Sequence, residues 1–297
     1  MMLFRTVVTV LLLLGISLTV LAQTESRRTT VAILPFGNSS TAAQATHTLA
    51  KLFESSDLVQ ISDLGQAQAA SSGAGYTPSL NMLVSEARTL GAAIGTDFFV
   101  VGDAQTLKRS PSTGPIYFDS YASIFIVSSR TGQLARWRRL NFSGPDAATA
   151  EKQLLGAIAA PELRSNLEAA MANATFAERE AREAPLDRNI PVIAVAPDDE
   201  KTAVAQGLRL PRPFKRLQPL YPTPAAEAEA EATVDVLVDL DSAGEVSRAE
   251  IIRWAGFGLD DSTLLTVRNL HFFPAMRDGE PIPLRVLLRY NFRKPPK

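Results

Sequence analysis

The chain has 297 residues, with 30 Lys+Arg against 31 Asp+Glu, 46% apolar residues and 21% charged residues. That is about two domains' worth of chain with the composition of a folded protein. The balanced charge leaves no whole-chain footprint for nucleic acid. Zero cysteines exclude disulfides, thiolate metal sites, a cysteine nucleophile and a lipid attached through sulfur.

In chain order, Met1 to Arg5 is a short basic start, and an apolar run of 16 residues follows from Val7 to Ala22. It ends in Val20-Leu21-Ala22, whose small residues suit cleavage before Gln23. Residues 1–22 therefore read as an export signal, with an inner-membrane anchor as the alternative. A spanning helix needs about 20 apolar residues, which favours the signal.

Residues 29–180 read as a small α/β domain. Val31-Ala32-Ile33-Leu34 is a buried strand, Ala42 to Phe53 a helix, Leu58 to Ile61 a second strand and Asn81 to Leu90 another helix. Phe98 to Gly102 is an apolar strand. Tyr117–Ser128 and Leu134–Phe142 form a hairpin, and 147–184 is helical with a break near Pro161. The stretch 185–224 holds eight of the 19 prolines, so 185–219 reads as an extended linker, with Ile190 to Ala196 as a candidate edge strand.

In the last segment, 220–297, Val234, Val236, Val238 and Leu240 alternate with Asp235 and Asp239. A turn at Asp241-Ser242-Ala243-Gly244 leads to a returning strand, Val246 to Trp254. A short helix from Ser262 to Leu270 follows, with a further short helix near 223–230. A closing strand, Pro283 to Arg293, alternates Leu284, Val286, Leu288, Tyr290 and Phe292 with Arg285, Arg289 and Arg293. These elements predict an α+β chain whose C-terminal domain is a three-stranded antiparallel sheet with a covering helix.

The order of Leu220-Tyr221-Pro222, Glu231-Ala232-Thr233-Val234, the Asp241–Gly244 turn, Ala255-Gly256-Phe257-Gly258, Phe273-Pro274 and Asp278-Gly279-Glu280-Pro281 resembles the TonB C-terminal domain family over about the last 80 residues. Ala232 departs from it, standing where the family usually has glycine. The resemblance implies a periplasmic protein-interaction module that adds an extended peptide, such as that of a TonB-dependent outer-membrane transporter, to the edge of its last strand. Tyr221, Pro222, Arg285, Leu287, Arg289 and Asn291 are the candidate partner-binding residues. Edge protection by charge is the competing explanation for the arginines. A homodimer, and a binding or assembly factor without energy transduction, stay open as alternatives. More weakly, the pieces around Val31–Phe36 and Gly95–Gly102 are similar to the envelope α/β domains of TolB and of curli-type secretion lipoproteins.

Enzyme chemistry finds little support. His47 reads as a helix-surface residue and His271 as a packing residue, so neither a triad nor a histidine metal site assembles. Gly73-Ala74-Gly75 lacks the third glycine of a dinucleotide loop. No catalytic residue, cofactor or metal is expected, and an enzyme in the N-terminal domain is the distant alternative.

Overall fold

The computed structural model describes residues 27–184, 193–197 and 199–294. The expected export segment 1–22 lies outside the described residues. The chain is α+β in two lobes.

In the first lobe, β1 (Thr29–Ile33), α1 (Ser40–Glu54), β2 (Val59–Ile61), α2 (Leu64–Gly73), β3 (Met82–Leu83), α3 (Val84–Ile94) and the long strands β4 (Phe98–Arg109), β5 (Tyr117–Ser128) and β6 (Leu134–Gly144) lead into α4 (Ala147–Ile158) and α5 (Pro161–Glu183). Five of the strands form one sheet in the order β2-β1-β4-β5-β6, with β1 parallel to both neighbours and β4, β5 and β6 antiparallel. Both faces are covered, which is why these strands read as unbroken apolar runs. Val31, Ile33, Phe98, Val100, Ile124 and Ile126 face α1, α4 and α5. Ala32, Leu34, Phe99, Val101, Phe125 and Val127 face the other way, toward α2, α3 and the second lobe.

Local chemistry sets the helix ends. Ser39 caps α1 by accepting the Ala42 N–H at 3.0 Å, and Asp146 caps α4 by accepting that of Thr149 at 2.8 Å. Pro161 opens α5, and Gly95 closes α3 at φ 78°. α2 was absent from the expected elements, and the helix expected from Asn81 begins at Val84 because Met82–Leu83 pairs as a strand.

The second lobe begins in the Pro-rich stretch with β7 (Ala194–Val195), α6 (Glu200–Ala205), β8 (Leu208–Arg209) and β9 (Arg212–Pro213). It continues through α7 (Thr223–Ala228), β10 (Ala232–Leu240), β11 (Val246–Trp254), α8 (Leu259–Arg268), β12 (Phe272–Phe273), β13 (Ala275–Arg277), β14 (Glu280–Ile282) and β15 (Leu284–Phe292). The three strands expected here are β11-β10-β15. The sheet has five, in the order β3-β11-β10-β15-β7. One addition comes from the first lobe and the other from the supposed linker. Two further pairings, β8 with β13 and β9 with β12, fasten that linker to the lobe. The stretch expected to be extended instead contains the helix α6 and these docked strands, because proline density says nothing of what the chain lies against.

The lobes share one hydrophobic core. Trp254, fully buried, donates its indole N–H to the Gly132 carbonyl at 3.0 Å, and its ring centroid lies 6.0 Å from that of Phe125. Phe257 stacks edge-on to Phe125 at 5.3 Å and lies 5.6 Å from Trp137. Gly256, at φ 69°, is required here because a Cβ would stand 2.3 Å from the Phe125 ring. Asn81 bridges β10 and β11 of the second lobe. Its amide donates to the Thr233 and Trp254 carbonyls at 2.7 Å each, and its Oδ1 accepts the Thr233 N–H at 3.0 Å.

Candidate functional site: the free edge of the last strand

β15 lies antiparallel to β10 in continuous register, from Leu284 opposite Leu240 to Phe292 opposite Ala232. Its even-numbered side chains enter the core with Val234, Val236 and Val238. The odd-numbered ones stand on the outer face, where a ladder of charge covers β10. Arg285 binds Asp239 through two hydrogen bonds of 2.5 and 2.8 Å, and Arg289 binds Asp235 through two of 2.7 and 2.9 Å. Arg253 on β11 reaches Asp235 from the other side at 3.2 Å. Both aspartates are buried. Burial raises the Asp235 carboxyl, but Arg289 and Arg253 outweigh it and hold it below the ordinary carboxylate value. The hydrogen bonds of Arg285 hold Asp239 low in the same way.

The second edge of β15 is half occupied. β7 pairs with it in parallel, Ala194 beside Leu284 and Val195 beside Arg285, and the Ala196 N–H donates to the Arg285 carbonyl at 2.8 Å. Backbone groups alternate sides along a strand, so the N–H and C=O of Leu287, Arg289 and Asn291 point outward like those of Arg285. No described strand pairs with them. Beside this free stretch runs a groove of about 590 Å³. Residues 286–290, Leu270 and Phe272 line it together with Leu210, Arg216 and Leu217 of the docked Pro-rich stretch.

The six expected partner-binding residues separate in this geometry. Leu287 is exposed and uncommitted at its backbone. Arg285 and Arg289 spend their guanidinium groups on the buried aspartates, so their side chains are structural ties within the sheet. The Asn291 Oδ1 accepts the Thr233 hydroxyl at 2.8 Å, which leaves its backbone at the edge. Tyr221 donates to the carbonyls of Ala225 and Ala230 at 3.2 and 2.6 Å, and its ring lies 6.3 Å from that of Phe292. Pro222 precedes α7 and packs beneath Gly258. These last two hold the lobe's first turn and stand apart from the edge.

His271 differs from the expected packing role. It is exposed, with Nδ1 2.7 Å from a Glu245 carboxylate oxygen. His47 is exposed on α1. Asp260 stands in the first turn of α8. It accepts the Ala255 and Gly256 N–H groups at 2.9 and 2.8 Å, pinning the loop that meets Phe125. Burial pushes its pKa up to about 6 against those two hydrogen bonds. Among the described residues, no group of three His, Asp or Glu is placed to hold a metal, and no helix is long and apolar enough to cross a membrane.

The fold and site thus define a two-lobed protein whose second lobe presents a partly vacant sheet edge. Residues 217–293 match the family described as the Gram-negative bacterial TonB protein C-terminal. Among solved structures, the TonB C-terminal domain of Pseudomonas aeruginosa is similar at 18% identity, covering 29% of this chain and 89% of that one with a TM-score of 0.26. The LpoB C-terminal domain from Escherichia coli is similar at 15% identity, over 41% and 88%, with a TM-score of 0.28. A hypothetical protein from Chlamydia trachomatis is similar at 13% identity, over 48% and 98%, with a TM-score of 0.32. No curated protein matches the chain.

Proposed function

We propose that this is an exported, non-catalytic envelope protein that captures an extended peptide of a protein partner by strand addition to β15. The observation that carries the reading is that this edge already holds a strand, β7, at Leu284 and Arg285, and continues vacant beyond it. An incoming peptide would bond to the outward groups of Leu287, Arg289 and Asn291 and lay alternate side chains into the adjoining groove. A TonB-dependent outer-membrane transporter is one source of such a peptide, and the periplasm is the compartment. Residues 7–22 provide a membrane tether if they are retained.

A specific observation favours a binding or assembly role over energy transduction. Residues 193–197 and 199–218 are folded onto the lobe through β7, β8 and β9, and β3 ties the lobe to its neighbour. Chain held in this way does not extend across a compartment.

The test is a proline scan of β15 read by peptide binding. Leu287→Pro removes an outward N–H and leaves the ladder to β10 intact, so the lobe should fold while capture falls at least tenfold. Val286→Pro removes an inward N–H and should destabilise the lobe by about 3 kcal/mol or more. Undiminished capture by a folded Leu287→Pro protein would refute strand addition at this edge.

A further inference from the structure

A cavity of about 940 Å³ lies in the first lobe. It opens where the start of β1, α3, the β5–β6 turn and the end of α5 converge, and five arginines line it: Arg27, Arg28, Arg88, Arg130 and Arg182. Two carboxylates share the wall, and both are engaged. Asp97 accepts the Thr30 N–H at 2.9 Å and the Thr30 hydroxyl at 2.8 Å, with Arg27 3.5 Å away. Glu178 accepts from Thr131 at 3.1 Å and from Ser128 and Arg130. Arg28, Arg88 and Arg182 form no ion pair with any described carboxylate.

The excess charge of this cleft contrasts with a chain whose formal net charge is −1. Arginines drawn from four separate elements face one volume large enough for a ligand of several groups. The Arg88 stem lies beside Gly132, where a Cβ would stand 3.0 Å from its Cγ. Ser129, also in the wall, has a buried hydroxyl that makes no hydrogen bond. Guanidinium forks match the oxygens of a phosphate group, and low-dielectric walls concentrate their field.

We infer that this cleft is a binding site for a phosphate-bearing anion, independent of strand capture by β15. The phosphate belongs either to a soluble ligand or to a lipid headgroup, and two probes separate the sources. The full chain is titrated with inorganic pyrophosphate in a calorimeter at low ionic strength. It is also sedimented with vesicles of phosphatidylglycerol and of phosphatidylcholine. Any binding through the apolar segment 7–22 is common to both vesicle types, so the excess on phosphatidylglycerol is the signal.

The double variant Arg88→Ala/Arg182→Ala alters exposed side chains and should fold, which circular dichroism checks. Arg268→Ala, an exposed arginine of α8, controls for net charge. Saturable pyrophosphate binding, weakened at least tenfold in the double variant and unchanged in the control, establishes a soluble phosphate ligand. Excess retention on phosphatidylglycerol with the same dependence, without pyrophosphate binding, establishes a headgroup. Binding of neither probe, or an equal loss in Arg268→Ala, overturns the proposal.

Discussion

Truncating Trp254 tests whether the two lobes stand as one unit. Its side chain belongs to the second lobe, but its burial is against Phe125 and its indole N–H bonds to Gly132, both in the first. Trp254→Ala opens a cavity that costs about 3–5 kcal/mol. It also strands a buried carbonyl, for about 1 kcal/mol more. Trp254→Phe keeps a ring against Phe125 and loses chiefly the hydrogen bond, so it should cost only about 1–2 kcal/mol. For a chain of this size the alanine variant should melt on the order of 10 °C lower. The chain has two tryptophans, and the other, Trp137, lies beside Phe257 in the same contact. Its fluorescence therefore reports interface opening in the variant, while circular dichroism follows each lobe's secondary structure. Wild type should give coincident transitions by both probes. A loss below about 1 kcal/mol for Trp254→Ala, or equal costs for the alanine and phenylalanine variants, would refute a shared core as the tie between lobes.

Asp235→Asn should destabilise the second lobe by about 2 kcal/mol in urea unfolding, discounted from the 3–5 kcal/mol of a fully buried pair because Arg289 is more than half exposed. Stability should pass through a maximum near pH 4. The Asp260 pKa rises on folding from 3.8 to about 6, so the folded state holds more protons in that window and stability falls as pH climbs through it, by on the order of 3 kcal/mol. Asp235 and Asp239 are depressed on folding, so their contribution is present above the ordinary carboxylate value and is lost as pH falls below it. Midpoints measured from pH 7 to 3 check both limbs, and Asp260→Asn should flatten only the limb between pH 4 and 6. A wild-type midpoint that does not rise between pH 7 and 5 would sink the account of Asp260.

Local pattern made most of the architecture legible. The apolar runs at Val31 and Phe98, the hairpin of β10 and β11 and the alternation of β15 depend on neighbours in sequence, and each stands where periodicity put it. The outer face of β10 was harder. Alternation marks Asp235 and Asp239 as the solvent side, but arginines from both flanking strands fold over them, and only the strand register reveals that pairing. The tie between lobes left no sequence signal, because Phe125 and Trp254 look like ordinary core residues and Met82–Leu83 is too short for any period to register. The strand that carries the candidate edge was thus legible. Which of its groups remain available depended on contacts with chain about 90 residues away, at β7.

The second sheet's two edges are each paired over only two residues. β3 covers Arg253 and Trp254 at the end of β11, and β7 covers Leu284 and Arg285 at the start of β15. Under the proposed capture, the stretch of β15 beyond Arg285 offers one strand site, so binding at this edge should saturate at one peptide per chain.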